Sequence, residues 1–79
     1  MSAHDKAFRW ITWNREQVRK HGLTERDVEY VVRRAQHPFP QRYKRKNGWR
    51  VVGQTPTYRW IEVLYSIGDD DMVFVYHAM

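Results

Sequence analysis

The chain has 79 residues, a net charge of +5 and no cysteine. One domain spanning residues 1–79 is therefore expected, and disulfides and thiolate metal sites are excluded. No apolar run nears the ~18 residues of a membrane helix. Without a secretory leader, the expected compartment is the cytoplasm.

Residues 1–6 are polar and are expected to fray. "AFRWITW" alternates weakly and is rich in aromatic and β-branched residues, which predicts a strand over residues 8–12. Asn14 is placed to cap a helix over residues 15–21, with Gln17 three positions on. Gly22 supplies the left-handed residue that ends helices. His21 stands at that helix end, where it can bond the last carbonyls and interact with the dipole.

The second helix has stronger signals. Thr24 is a good cap, Asp27 stands at the third helical position, and Leu23 and Val28 fit a hydrophobic staple. Glu25 and Asp27 match the positive helix end; Arg33 and Arg34 match the negative one. Val28, Val31, Val32 and Ala35 make a core stripe at helical spacing. Pro38 and Pro40 prevent continuation.

Beyond Pro40 the period becomes two. "QRYKRK" predicts a basic strand, "NG" a hairpin turn and "WRVVGQT" the partner strand. "PT" turns the chain into "YRWIEVLYSI", and "GDDD" leads to a last strand, "MVFVYHAM". The predicted order is β-α-α-β-β-β-β, an α+β fold with two helices on one face of a mostly antiparallel sheet. Gly53 inside a strand signals a bulge or a close backbone approach.

Charge is distributed unevenly. Between Tyr30 and Ile61 there is no Asp or Glu, while Arg33, Arg34, Arg42, Lys44, Arg45, Lys46, Arg50 and Arg59 all fall there. Such a field attracts a polyanion such as RNA, or an acidic protein. Arg42, Lys44, Arg45 and Lys46 form the expected RNA-binding cluster. Tyr43, Trp49, Tyr58 and Trp60 are candidates for stacking on bases, although for Trp60 a core position is the stronger expectation.

Arg50 and Arg59 each sit between apolar strand residues. A guanidinium there faces solvent or a partly dry cleft, where its fork suits a phosphate. Glu62 is placed to pair with one of them. His77 shares a face with Val73 and Val75 on simple alternation, as a core residue or a proton-transfer group. His4, His21, His37 and His77 show no metal-ligand spacing.

The segment "WNREQVRKHGLTERDVE", residues 13–29, resembles the opening helix pair of BrnT-type toxins of the RelE-like toxin-antitoxin group. "WRVVGQTPTYRWIEVLYSI" resembles the central strands of that family, and "VFVYHAM" its last strand. The resemblance implies a RelE-like fold and an RNA endonuclease that needs no metal or other cofactor. It implies two partners, RNA and an antitoxin protein. Carried onto this chain, Arg50 and Arg59 would stabilise the phosphorane and His77 would transfer a proton. The Ala-Arg pair that commonly ends the family's last strand is Ala78-Met79 here, one cation fewer. The family's usual C-terminal helix bearing Arg and Glu is also missing from this sequence. The contrasting expectation is a non-catalytic module that binds RNA or an acidic protein with the same basic face.

Overall fold

A computed structural model describes residues 6–34, 40–44 and 47–79. Two helices, α1 (Thr12–Arg19) and α2 (Glu25–Arg33), precede four strands: β1 (Gln41–Arg42), β2 (Gly48–Gln54), β3 (Trp60–Ile67) and β4 (Val73–Ala78). The strands form one antiparallel sheet in the order β1-β2-β3-β4. The chain is an α+β domain. Among the described residues, no helix is long and apolar enough to cross a membrane.

The expected first strand is reduced to a single parallel bridge, Phe8 to Val73. Two hydrogen bonds make it, from Arg9 N–H to the Val73 carbonyl and from Val73 N–H to the Ala7 carbonyl. The helix then starts at Thr12, earlier than Asn14 as a cap would allow. Asn14 is instead the third helical residue and reaches back. Its Oδ1 accepts from Ile11 N–H at 2.7 Å, and its Nδ2 donates to the Arg9 carbonyl at 2.9 Å. One fully buried amide thus satisfies two main-chain groups of the entering segment. The Lys6 ammonium pairs with Asp71 at 2.6 Å, and residues 1–5 of the segment expected to fray lie outside the described residues.

The α1–α2 connection matches its sequence signals. Gly22 takes φ +73°, and Leu23 N–H donates to the Val18 carbonyl. Thr24 Oγ1 accepts from Asp27 N–H, and Asp27 Oδ2 accepts from Thr24 N–H, which closes the capping box. Glu25 ties the start of α2 to the end of α1 through Arg19 at 3.1 Å. Burial pushes the Glu25 carboxyl up. The hydrogen bond from Arg19, a main-chain hydrogen bond and the charges of Arg19 and Arg15 together hold it below the usual range.

The core lies between α2, the inner side of α1 and one sheet face. Val18, Leu23, Val28, Val31 and Val32 meet Val51, Ile61, Val63, Tyr65, Val73, Val75 and Ala78. Gly53 makes the close approach its position signals. A Cβ there would lie 3.0 Å from Val31 Cγ1, so a side chain would require Val31 to shift by a few tenths of an ångström. The two helices are not equivalent. While α2 lies on β2 and β3, α1 runs against the outer strand β4. From there Trp13 stacks on Phe74, a residue of the opposite sheet face.

Tyr65 is the largest fully buried side chain, and burial raises its hydroxyl to about 12. The neutral form is therefore the one the fold stabilises. The contribution is complete below pH ~10, the unfolded value, and is lost as pH rises through about 12. Its full size is ~2–3 kcal/mol, from two pH units. Urea midpoints measured from pH 9 to 12 are expected to fall across that window, and Tyr65→Phe is expected to flatten the fall. An unchanged slope in Tyr65→Phe would assign the alkaline loss to other groups.

Candidate nucleic-acid interface

The sheet face turned away from α2 carries Arg50 and Val52 from β2, Trp60, Glu62, Leu64 and Ser66 from β3, and Phe74 and His77 from β4. Arg50, Leu64 and His77 lie in one cross-strand row. At ~4.8 Å per strand, Arg50 and His77 are then about 10 Å apart at the backbone. Arg50 does not reach toward His77. Its Nε donates to Glu62 Oε2 at 2.5 Å, with both side chains about one-third exposed. Glu62 thus takes the structural pairing expected of it.

His77 is off the core face that simple alternation assigns to it. Ile67, Ser66 and Tyr65 pair with Val73, Phe74 and Val75, but Leu64 then pairs with His77, skipping Tyr76. This bulge sets Tyr76 and His77 on the same side and returns Ala78, 1% exposed, to the core opposite Val63. The extra residue is the reason that His77 is half-buried on the other face. Its ring meets His21 edge to face, with centroids 6.1 Å apart and planes at 66°. Among the described residues, neither imidazole hydrogen-bonds to another side chain. His21 has the helix-end position expected of it, but it also belongs to this pair.

Arg59 sits in the turn between β2 and β3, not inside a strand. Thr55 organises this turn. Its N–H donates to the Arg59 carbonyl at 2.9 Å, its carbonyl accepts from Tyr58 N–H at 2.9 Å, and its Oγ1 accepts from Arg59 N–H at 3.2 Å. Thr55 is 3% exposed, so the turn is anchored from below. Tyr58 takes φ +67°, a left-handed conformation that a residue with a Cβ adopts at a cost of about 1 kcal/mol or more. The outcome is an exposed triplet, Tyr58, Arg59 and Trp60. Tyr58 is 80% and Trp60 64% exposed, so Trp60 is not core. Exposed aromatics on both sides of a cation fit bases and a phosphate.

The Arg59 guanidinium lies against Gly22, where an added Cβ would be 3.4 Å from Nη1. It makes no ion pair with a described residue. Since His21 precedes Gly22 and meets His77, three cationic or titratable side chains converge at the α1–α2 turn. Beside Trp60 is a cavity of about 230 Å³, which Tyr30, Arg34, Val52 and Gln54 also line. The Arg34 guanidinium lies 4.5 Å from the Tyr30 ring centre.

The basic hairpin is elsewhere. Arg42 lies 5.7 Å from the Trp49 ring centre and Lys44 lies 5.2 Å from that of Tyr43. Only Gln41–Arg42 is strand, and the two-residue Asn47-Gly48 turn is not made. Tyr43 N–H closes the reversal on the Gly48 carbonyl, with Lys44 and Asn47 at positive φ. Arg45, Lys46, Ala35 and Pro38 lie outside the described residues. Arg42 pairs near one end of β2, while Arg59 follows the other end, roughly 15–20 Å along the strand. One phosphate cannot touch both.

Among the described residues, no three His, Cys, Asp or Glu side chains are placed to hold a metal ion together. Sequence patterns missed His21 as a site residue because its capping role already accounted for it. They missed the Thr55 anchor because a buried threonine in a turn has no sequence signature. Comparison of the chain with protein-family models, curated proteins and solved structures found no match to any of them.

Proposed function

We propose that this protein is an RNA endonuclease that acts without metal, of the toxin kind that a partner antitoxin holds inactive. The Tyr58-Arg59-Trp60 turn carries the reading: an arginine with no acid partner among the described residues stands between two exposed rings, next to two imidazoles. An RNA strand laid across it would stack bases on Tyr58 and Trp60 and put a phosphate on Arg59. The guanidinium would stabilise the charge that builds on the phosphate when a ribose 2′-OH attacks it. His77 would move a proton. Arg50, held by Glu62, would shape the floor of the site. Arg42 and Lys44, with Arg45 and Lys46, would hold the strand further along. The motif at residues 13–29 and the α+β order agree with a BrnT-type, RelE-like toxin.

Purified protein incubated with a mixed-sequence RNA in EDTA is expected to cut it, leaving 2′,3′-cyclic phosphate ends. Induced expression is expected to arrest growth. RNA that is bound with a steep salt dependence but stays intact, with EDTA or with added magnesium, would leave a binding module in place of the enzyme. Neither binding nor cutting would remove the nucleic-acid reading as a whole.

A further inference from the structure

We infer that His21 and His77 are the two proton-transfer groups of this site, one as general base and one as general acid; this rests on the ribonuclease reading above. Their rings come from distant segments, the turn after α1 and the bulge in β4, yet their centroids are 6.1 Å apart. With ring nitrogens about 1.1 Å from each centroid, the closest nitrogen–nitrogen approach stays beyond the ~3.2 Å limit of a direct hydrogen bond. The rings leave no room for a phosphate between them, but a group lying across both can present one oxygen to each. Attack on a phosphodiester presents such a group, because the entering and departing oxygens are in line through phosphorus.

The step balances with these two rings alone. A neutral imidazole takes the 2′-OH proton as the bond from the 2′-oxygen to phosphorus forms. The protonated imidazole gives its proton to the 5′-oxygen as the bond from phosphorus to that oxygen breaks. The products are a 2′,3′-cyclic phosphate and a 5′-hydroxyl, and the two rings exchange protons with water to reset. Arg59, lying against Gly22, supplies fixed positive charge to the phosphoryl oxygens. The bulge has a function in this scheme: in regular pairing Tyr76 would stand opposite Leu64, and His77 would stand opposite Val63 on the core face, away from His21.

The test compares two substrates, an RNA and a uridine 3′-(4-nitrophenyl phosphate), whose nitrophenolate departs without a proton. His21→Gln and His77→Gln in the whole chain are each expected to slow RNA cleavage by about 10²–10⁴-fold, the usual worth of a positioned acid or base. Their affinity for RNA and their melting temperatures should remain those of the unaltered protein. On the nitrophenyl ester, the variant lacking the acid should regain most of its rate, while the variant lacking the base should stay slow. Added imidazole should partly restore His21→Ala or His77→Ala. RNA cleavage within about threefold of the unaltered protein in His21→Gln would remove His21 from the chemistry and overturn the pair. Equal losses on both substrates with a lowered melting temperature would make the contact structural. If the unaltered protein cuts neither substrate, it is the ribonuclease reading that falls, and the pair with it.

Discussion

Asn14→Leu is expected to lower the unfolding free energy by about 2–6 kcal/mol, although leucine has the same branched heavy-atom outline as asparagine. The side chain is 0% exposed and bonds two main-chain groups, Ile11 N–H and the Arg9 carbonyl. Leucine would leave both without partners, and each orphaned buried group costs ~1–3 kcal/mol. A chain of 79 residues has roughly 4–12 kcal/mol of stability in total. The loss is therefore a large share of the total, on the order of half at mid-range values. Asn14→Asp separates the two bonds. An ionised carboxylate can still accept from Ile11 N–H but opposes the Arg9 carbonyl, whereas a protonated one can donate to it. Stability of Asn14→Asp should thus improve as pH falls through the value of that buried carboxyl, opposite in sign to the unaltered protein, where acid costs Glu25 its ties to Arg19. Urea titrations at pH 4 and 7 check both statements. A loss under 1 kcal/mol in Asn14→Leu would mean that the segment before α1 solvates its own main chain.

Asn14 also marks the limit of what local sequence carries. The residue is plainly a helix-start signal, but the same residue serves as first cap or as third residue with a back-reaching amide. The choice between them is made at long range. Trp13 stacks on Phe74 and Val18 enters the core, which draws Thr12 and Trp13 into α1 despite their preference for strands. The α2 segment had no such competition. Its box at Thr24 and Asp27, its stripe of Val28, Val31 and Val32, and Gly22 in the left-handed region are all settled within a few residues. The sheet order likewise follows from short turns that join neighbouring strands. The site does not, because it depends on faces. One extra residue in the register at Tyr76 reverses the face of His77, and no alternation pattern in "VFVYHA" announces it. Arg50 and Arg59 look alike in sequence, each between apolar neighbours, and differ completely in partners. Glu62 pairs with Arg50, while Arg59 pairs with no acid among the described residues.

That difference sets the second large effect. Arg59→Ala is expected to slow RNA cleavage by about 10²–10³-fold, the loss seen when one donor to a developing oxyanion is removed. Its stability should change by less than ~0.5 kcal/mol, since the side chain is exposed and makes no ion pair among the described residues. Arg59→Lys should recover only part of the rate, because an ammonium keeps the charge but not the two-pronged fork. Arg50→Ala should behave in the reverse manner. It leaves Glu62, about one-third exposed, without its partner, so the main loss is a modest one in stability, reduced by solvent screening. The double variant Arg50→Ala with Glu62→Ala should regain part of that loss, since no unpaired charge remains. Cleavage rates at saturating RNA and melting temperatures for all four variants decide the assignment. If Arg50→Ala abolishes cutting while Arg59→Ala leaves it intact, the phosphate sits on the open sheet face beside Glu62, and the exposed turn serves only to bind. A cation held by a carboxylate must break that pair to serve a phosphate. Among the described residues Arg59 has no such pair to give up, and on that ground the larger rate effect belongs to it.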